Sequence, residues 1–158
     1  MKLSVAIFGA GCFWGVESTF QSLNGVLKTS VGYIGGNKEN PTYEEVCYSS
    51  TGHAEAVRVE FDPTTITYEE LLDNFWNLHD PTTLNRQGPD VGEQYRSAIF
   101  FSNVNEEKLA KISREKWNNS GKFSDPIVTE ITRATTFWPA EEYHQSYFLK
   151  RGITGGCH

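Results

Sequence analysis

The chain has 158 residues, 38% of them hydrophobic and 13% aromatic, enough to bury one sizeable core, and we read residues 1–158 as a single domain. Fourteen Lys and Arg against twenty Asp and Glu leave a net charge of −6, which argues against a dedicated nucleic-acid or anionic-membrane binder. The longest stretch without a polar or charged side chain, Val5 to Val16, is twelve residues, short of the roughly 20 a spanning helix needs.

Lys2 to Phe8 reads as a buried strand running into Gly9, Gly11 and Cys12. A helix follows from Phe13 through about Leu23, with Trp14, Glu17, Phe20 and Leu23 on its pattern and Asn24-Gly25 as its stop. Val26 to Tyr33 is a second strand, residues 35–42 a loop, and residues 43–47 one short helical turn. Val57, Val59 and Phe61 alternate with Arg58 and Glu60, the period of a half-buried strand, which Asp62-Pro63 ends. Thr67-x-x-Glu70 is a capping box ahead of a helix with Leu71, Leu72, Phe75, Trp76 and Leu78. Residues 80–95 form a loop punctuated by Asp80-Pro81, Gly88-Pro89 and Gly92. Ser97 to Ser102 is a strand, Asn103 or Asn105 caps a helix with Leu109, Ile112 and Trp117, and Ile127 to Thr132 is another strand. Pro139 is placed to open a helix over 140–149, and a Gly-rich tail covers 150–158. Short strands in the order β-α-β, β-α, β-α-β-α point to an α+β, two-layer architecture, with function expected in the loops at 35–55 and 80–95.

Three cysteines make neither a disulfide framework nor a zinc pattern, and an odd count suits a reducing compartment; we expect a cytoplasmic location and no metal. Gly9-Ala10-Gly11-Cys12-Phe13-Trp14-Gly15 is not a dinucleotide fingerprint, because Trp14 stands where a third glycine is needed. What it offers is a cysteine at a strand-to-helix junction, where backbone N–H groups and the helix dipole favour a thiolate. Cys12 is thus either a nucleophile or a small residue packed at that junction. Phe13 and Trp14 are either core or the walls of an apolar pocket over the sulfur. For a partner the loops supply Tyr43, His53, Glu55, Asp90 and Tyr95. His53 admits a Cys–His hydrolase, and a thiol-binding module without turnover is a further alternative. Glu55 beside a hydrophobic wall would keep its proton and act as an acid. Cys157, next to last in a Gly-rich stretch, suits a mobile thiol; Cys47, among apolar neighbours, reads as packing.

Five ordered blocks favour the nucleophile reading. Residues 11–17 (GCFWGVE), 40–47 (NPTYEEVC), 51–57 (TGHAEAV), 90–97 (DVGEQYRS) and 137–145 (FWPAEEYHQ) resemble the methionine sulfoxide reductase A family over nearly the whole chain. The resemblance implies a two-layer α/β sandwich of βαβ units with a mixed, ferredoxin-like sheet and an irregular C-terminal tail. It implies thiol-dependent reduction of the S epimer of methionine sulfoxide, free and in proteins; separately, we expect a monomer. Cys12 would be the nucleophile, Phe13 and Trp14 the pocket for the sulfoxide's methyl group, and Glu55 the proton donor. Tyr43 and Tyr95 would hydrogen-bond the sulfoxide oxygen, Asp90 would position a water, and His144 and Tyr147 would lie near the pocket rim. Cys157 would resolve a Cys12 sulfenic acid as a disulfide, which thioredoxin reduces; no bound cofactor is implied. The chain departs from the family in lacking the second recycling cysteine of some relatives and in carrying Gly156 where Tyr is common.

Overall fold

The computed structural model describes residues 3–152. In chain order the elements are β1 (Ser4–Ala10), α1 (Phe13–Gln21), β2 (Val26–Ile34), α2 (Tyr43–Tyr48), β3 (Ala54–Phe61) and α3 (Tyr68–Leu78). A small hairpin of β4 (Arg86–Gln87) and β5 (Asp90–Val91) follows, then a 3-10 turn at Glu93–Tyr95 and β6 (Ser97–Phe101). The chain continues with α4 (Val104–Asn118), β7 (Glu130–Arg133), β8 (Trp138–Pro139), a 3-10 turn at Glu142–His144 and α5 (Tyr147–Lys150). Six strands form a mixed sheet in the order β7-β6-β1-β3-β2-β8, parallel only between β6 and β7. This is an α+β fold, as the sequence implies.

The period of two along each strand sorts the sheet into two faces. Ala6, Phe8, Val31, Tyr33, Val57, Val59, Phe61 and Ile99 share a core with Phe20 of α1 and with Leu71, Leu72, Phe75 and Trp76 of α3. Phe8 stacks at 5.2 Å on both Phe20 and Phe75, so β1, α1 and α3 meet at one ring. The opposite face carries Ile7, Ile34, Ala54, Ala56, Ala98 and Phe100, against which Phe137 and Ala134 pack. Helix starts follow local chemistry: Thr42 with Glu45 and Thr67 with Glu70 each complete a capping box.

Three expectations need correction. The alternation seen at Val57–Phe61 extends back to Ala54, so Glu55 lies within β3 and faces the helical layer in register with Tyr33. The strand expected from Ile127 starts at Glu130, because the Ile127 N–H donates to Asn118 Oδ1 and the Val128 N–H to the Pro81 carbonyl. The helix expected over 140–149 does not form. Trp138 and Pro139 instead pair with Tyr33 and Gly32 at the sheet edge, where a missing N–H costs little. Gly32 permits that approach, since an added Cβ would run into the Trp138 carbonyl. Past the strand, Ser146 adopts φ 51°, ψ 42°, which no helix can pass through. The expected tail is described only to Gly152, and Cys157 lies outside the described residues.

Gln145 replaces the helix with a tertiary tie. Its Oε1 accepts the Val31 N–H at 2.9 Å while its Nε2 donates to the carbonyls of Val31 and Ala140 at 2.9 and 3.0 Å. Gln145→Ala strands the Val31 N–H and is expected to lower stability by about 1–3 kcal/mol, measured by urea denaturation with an unchanged m-value.

Candidate active site

Cys12 is the N-cap of α1, placed there by a positive φ of 96° at Gly11 that turns the chain off the end of β1. The backbone N–H groups of Trp14 and Gly15, in the first turn of α1, favour the thiolate, as the junction predicts. They do not prevail. Burial, then the charges of Glu55 and Asp90, push the Cys12 thiol up to about 12. The depressed value that a helix N-terminus alone implies is therefore overturned by desolvation and by two nearby carboxyl groups.

Glu55 is 1% exposed. Oε1 accepts the Phe13 N–H at 3.2 Å, which ties β3 to the first turn of α1. Oε2 is buried with no hydrogen-bond partner among the described residues. Burial pushes the carboxyl up to about 8, Asp90 adds to the rise, and the Phe13 N–H opposes it. At neutral pH Glu55 thus holds its proton, and its charge is withheld from the sulfur it would repel. Cys12 and Glu55 form a neutral, doubly protonated pair in the resting site.

Around this pair the structure gathers most of the residues the family resemblance implies. Burial and the Glu55 charge hold the phenols of Tyr43, at the start of α2, and Tyr95, before β6, in the protonated form. Asp90 stands on the β4–β5 hairpin, close enough for its charge to act on Cys12, Glu55 and Tyr95. Phe13 is 1% exposed, with ring centroids 5.8 Å from Tyr33 and 6.3 Å from Tyr43. Trp14 is half-buried and lies face to face with Tyr147, 3.8 Å between centroids and 8° between planes.

His144 is placed otherwise than at an open rim: it is fully buried among Phe13, Trp14 and Tyr43. Its Nδ1 accepts the Trp14 Nε1–H at 2.9 Å, which puts the ring proton on Nε2, and burial lowers its pKa, keeping it neutral. His53 is outside the chemistry. Its Nδ1 accepts the Gly36 N–H at 3.0 Å and its Nε2 donates to the Lys38 carbonyl at 2.7 Å, so both nitrogens brace the loop after β2. That removes the base a Cys–His hydrolase needs.

Three residues went unrecognised in the sequence. Cys47 is half-buried, and the side chains of Tyr43 and Tyr95 stand close enough to favour its ionised form against the burial that raises its pKa, so it belongs to the site rather than to inert packing. The signal was its spacing: Tyr43 and Cys47 stand four apart on α2 and share a face. Glu141 accepts the Tyr33 hydroxyl at 2.9 Å and the Tyr43 N–H at 3.0 Å. Tyr33 in turn packs on Phe13, so these two residues brace the pocket from below.

The arrangement gathers a thiol, a protonated acid and two phenols close to a set of packed aromatic rings, with Tyr43 belonging to both. A family model described as peptide methionine sulfoxide reductase matches residues 4–158. The chain belongs to the peptide methionine sulfoxide reductase family. It is 60% identical over 151 residues to the peptide methionine sulfoxide reductase MsrA of Methanoculleus marisnigri, covering 96% of this chain and 92% of that protein. It is 57% identical over 156 residues to the MsrA of Geobacter metallireducens, covering 99% and 96%. Among solved structures, reduced Mxr1 from Saccharomyces cerevisiae superposes with a TM-score of 0.90 at 36% identity, covering 99% of this chain and 90% of that one. The same yeast protein in complex with Trx2 gives a TM-score of 0.65 at 28% identity, covering 92% and 85%. As a member of this family the chain is an oxidoreductase acting on peptide methionine sulfoxide. Among the described residues no helix is long and apolar enough to cross a membrane.

Glu55 ionises near 8 in the folded chain and near 4.5 once unfolded, so across that window the native state keeps a proton that the unfolded state has lost. Folding stability is therefore expected to fall as pH rises from 4.5 to 8, and Glu55→Gln to flatten that slope, as read by chemical denaturation at each pH. The same substitution removes a negative charge beside Cys12, so alkylation of Cys12 by iodoacetamide at alkaline pH is expected to speed up, as followed by mass spectrometry of the Cys12 peptide.

Proposed function

We propose that the chain reduces the S epimer of methionine sulfoxide, free and in oxidised proteins, with Cys12 as nucleophile and Glu55 as proton donor. The observation that carries this reading is the buried, protonated Glu55, its Oε2 unpartnered, beside the N-terminus that holds Cys12. A sulfoxide oxygen brought to Glu55 and to the Tyr43 and Tyr95 hydroxyls meets three donors, while the methyl group lies against Phe13 and Trp14.

The two raised pKa values fit one proton inventory. As the Cys12 sulfur attacks the sulfoxide sulfur, the oxygen gains negative charge and takes the proton from Glu55; the phenols stabilise it through hydrogen bonds. Glu55, ionised by that transfer, takes up the proton that the Cys12 thiol releases as its bond to the sulfoxide sulfur forms, so the acid is restored within the step. Asp90 acts through a water that it orients beside the pair. The sulfoxide sulfur gains two electrons and leaves as methionine, and the Cys12 sulfur loses two and becomes a sulfenic acid. Cys157 condenses with it, forming a disulfide and releasing water, and a thioredoxin-type dithiol reduces that disulfide. The complex of the related yeast protein with Trx2 supports the last step. The electrons come from thiols throughout, and the cycle suits the reducing cytoplasm. A nucleophile, a methyl-binding wall and an acid fixed around a tetrahedral sulfur accept one hand of it, and the family resemblance assigns that hand as S.

In a thioredoxin-coupled assay on resolved epimers, the S form is expected to be consumed and the R form left. Cys12→Ser abolishes turnover in a folded protein. Glu55→Ala and Glu55→Gln slow the single-turnover rate by ~10²–10⁴-fold, the usual contribution of a general acid. Equal single-turnover rates in wild type and both Glu55 variants would remove Glu55 from the mechanism. Cys157→Ser is expected to keep one stoichiometric reduction and lose recycling, read as methionine formed per enzyme with and without thioredoxin.

A further inference from the structure

Glu17 is 1% exposed on α1 and has no part in the chemistry above. Both its oxygens are occupied: Oε1 accepts the Ser146 N–H at 2.7 Å and Oε2 accepts the Thr29 hydroxyl at 2.8 Å. Burial raises its pKa against those two bonds and the field of Lys150. A carboxyl taken out of water is costly, and what it holds in return is the left-handed turn at Ser146. Gln21, one turn further along α1, adds a second tie by donating from Nε2 to Ser146 Oγ at 3.0 Å. A serine at φ 51° needs such outside support, since the conformation is locally unfavourable.

Ser146 sits between the two residues that grip Trp14. His144, two positions before it, accepts the indole N–H; Tyr147, the next residue, stacks on the indole face, and Arg151 covers the far side of Tyr147 with its guanidinium 3.6 Å from the ring centroid. Trp14 and Glu17 are three apart on one helix, so α1 carries both the gripped ring and the anchor of the gripping segment.

We propose that Glu17 is a positioning residue for substrate binding: by fixing the left-handed turn at Ser146 it keeps Tyr147 stacked on Trp14 and so sets the indole wall that receives the sulfoxide's methyl group. The inference rests on the reading of Trp14 as that wall. Glu17 touches neither the sulfur nor the acid, so its loss weakens binding and leaves the chemical step intact.

The test is single-turnover reduction of a methionine sulfoxide peptide without reductant, with the half-saturating concentration and the plateau rate read separately. Glu17→Leu removes the acceptor of that bond, and Ser146→Pro removes its donor together with the left-handed turn, since proline holds φ at about −65°. Each is expected to raise the half-saturating concentration roughly three- to tenfold, the scale of an aromatic stacking contact, with the plateau rate within about twofold of wild type. Glu17→Gln, whose Oε1 still accepts the Ser146 N–H and whose Nε2 donates to the Thr29 hydroxyl oxygen instead of accepting from it, rescues the half-saturation point. In the pair Glu17→Leu/Tyr147→Ala the loss does not exceed that of Tyr147→Ala alone. Ser146→Pro reads the contact even where Glu17→Leu fails to fold. A wild-type half-saturation point in Ser146→Pro, a Glu17→Gln that fails to rescue, or a plateau rate that falls with it overturns the proposal. Trp14→Ala separates the two levels: if it raises the half-saturating concentration while Glu17→Leu and Ser146→Pro do not, only the positioning role fails; if it changes nothing, the pocket reading fails too.

Discussion

Everything at the site follows from one carboxyl group turned inward. Glu55 belongs to the face of β3 that also carries Val57, Val59 and Phe61, the face that packs against the helices. A period of two sends a charged residue where its neighbours send hydrocarbon, directly beneath the start of α1. The chain meets the cost by donating the Phe13 N–H to one oxygen and by leaving the other oxygen protonated. A carboxylic acid that stays neutral at physiological pH is the chemical resource the strand creates. The same burial that makes Glu55 an acid makes Cys12 a reluctant thiolate, and the two effects have one source in the dry, acidic junction between β1 and α1.

A thiol pushed up to about 12 is poorly reactive toward casual electrophiles, and that is compatible with its task. In the mechanism we propose, a sulfoxide brings its own oxygen to the Glu55 proton, so the negative charge that forms is spread over carboxylate and phenols rather than created on sulfur in advance, and the substrate assembles the reactive state. The second half of the site is aromatic and is built by the chain's C-terminal segment, in which four consecutive residues, His144 to Tyr147, each make a distinct contact: to the Trp14 indole, to the β2 backbone, to Glu17 and to the indole face. The aromatic rings around Trp14 and the end of the described chain therefore share one anchored segment.

How much of this the sequence showed depended on how local the cause was. The helix of α3 was legible because Thr67 and Glu70 satisfy each other within one turn and the apolar stripe follows at once. Cys12 was legible because two glycines and a strand-to-helix change fall within a few residues. The 137–152 region was misread for the opposite reason. Pro139 and the residues after it carry the local marks of a helix start, but Gln145 finds its partner on Val31 and Ser146 on Glu17, more than a hundred residues away. Tertiary hydrogen bonds overrode propensity. Separation along the chain likewise hid Cys47, whose company is Tyr95 as well as its helix neighbour Tyr43, and it hid the sign of the Cys12 shift, which depends on a strand and a hairpin that the 9–15 segment does not contain. Glu55 could have been read as inward-facing by carrying the alternation at 57–61 back one step.

The central claim is that Glu55 is a protonated acid in the resting enzyme at neutral pH. Infrared difference spectroscopy tests it directly: the spectrum of the wild type minus that of Glu55→Gln isolates the carboxyl stretch of this one side chain. The account predicts a protonated carboxylic C=O band at neutral pH that gives way to carboxylate bands as pH rises through about 8. Carboxylate bands alone at neutral pH would contradict it.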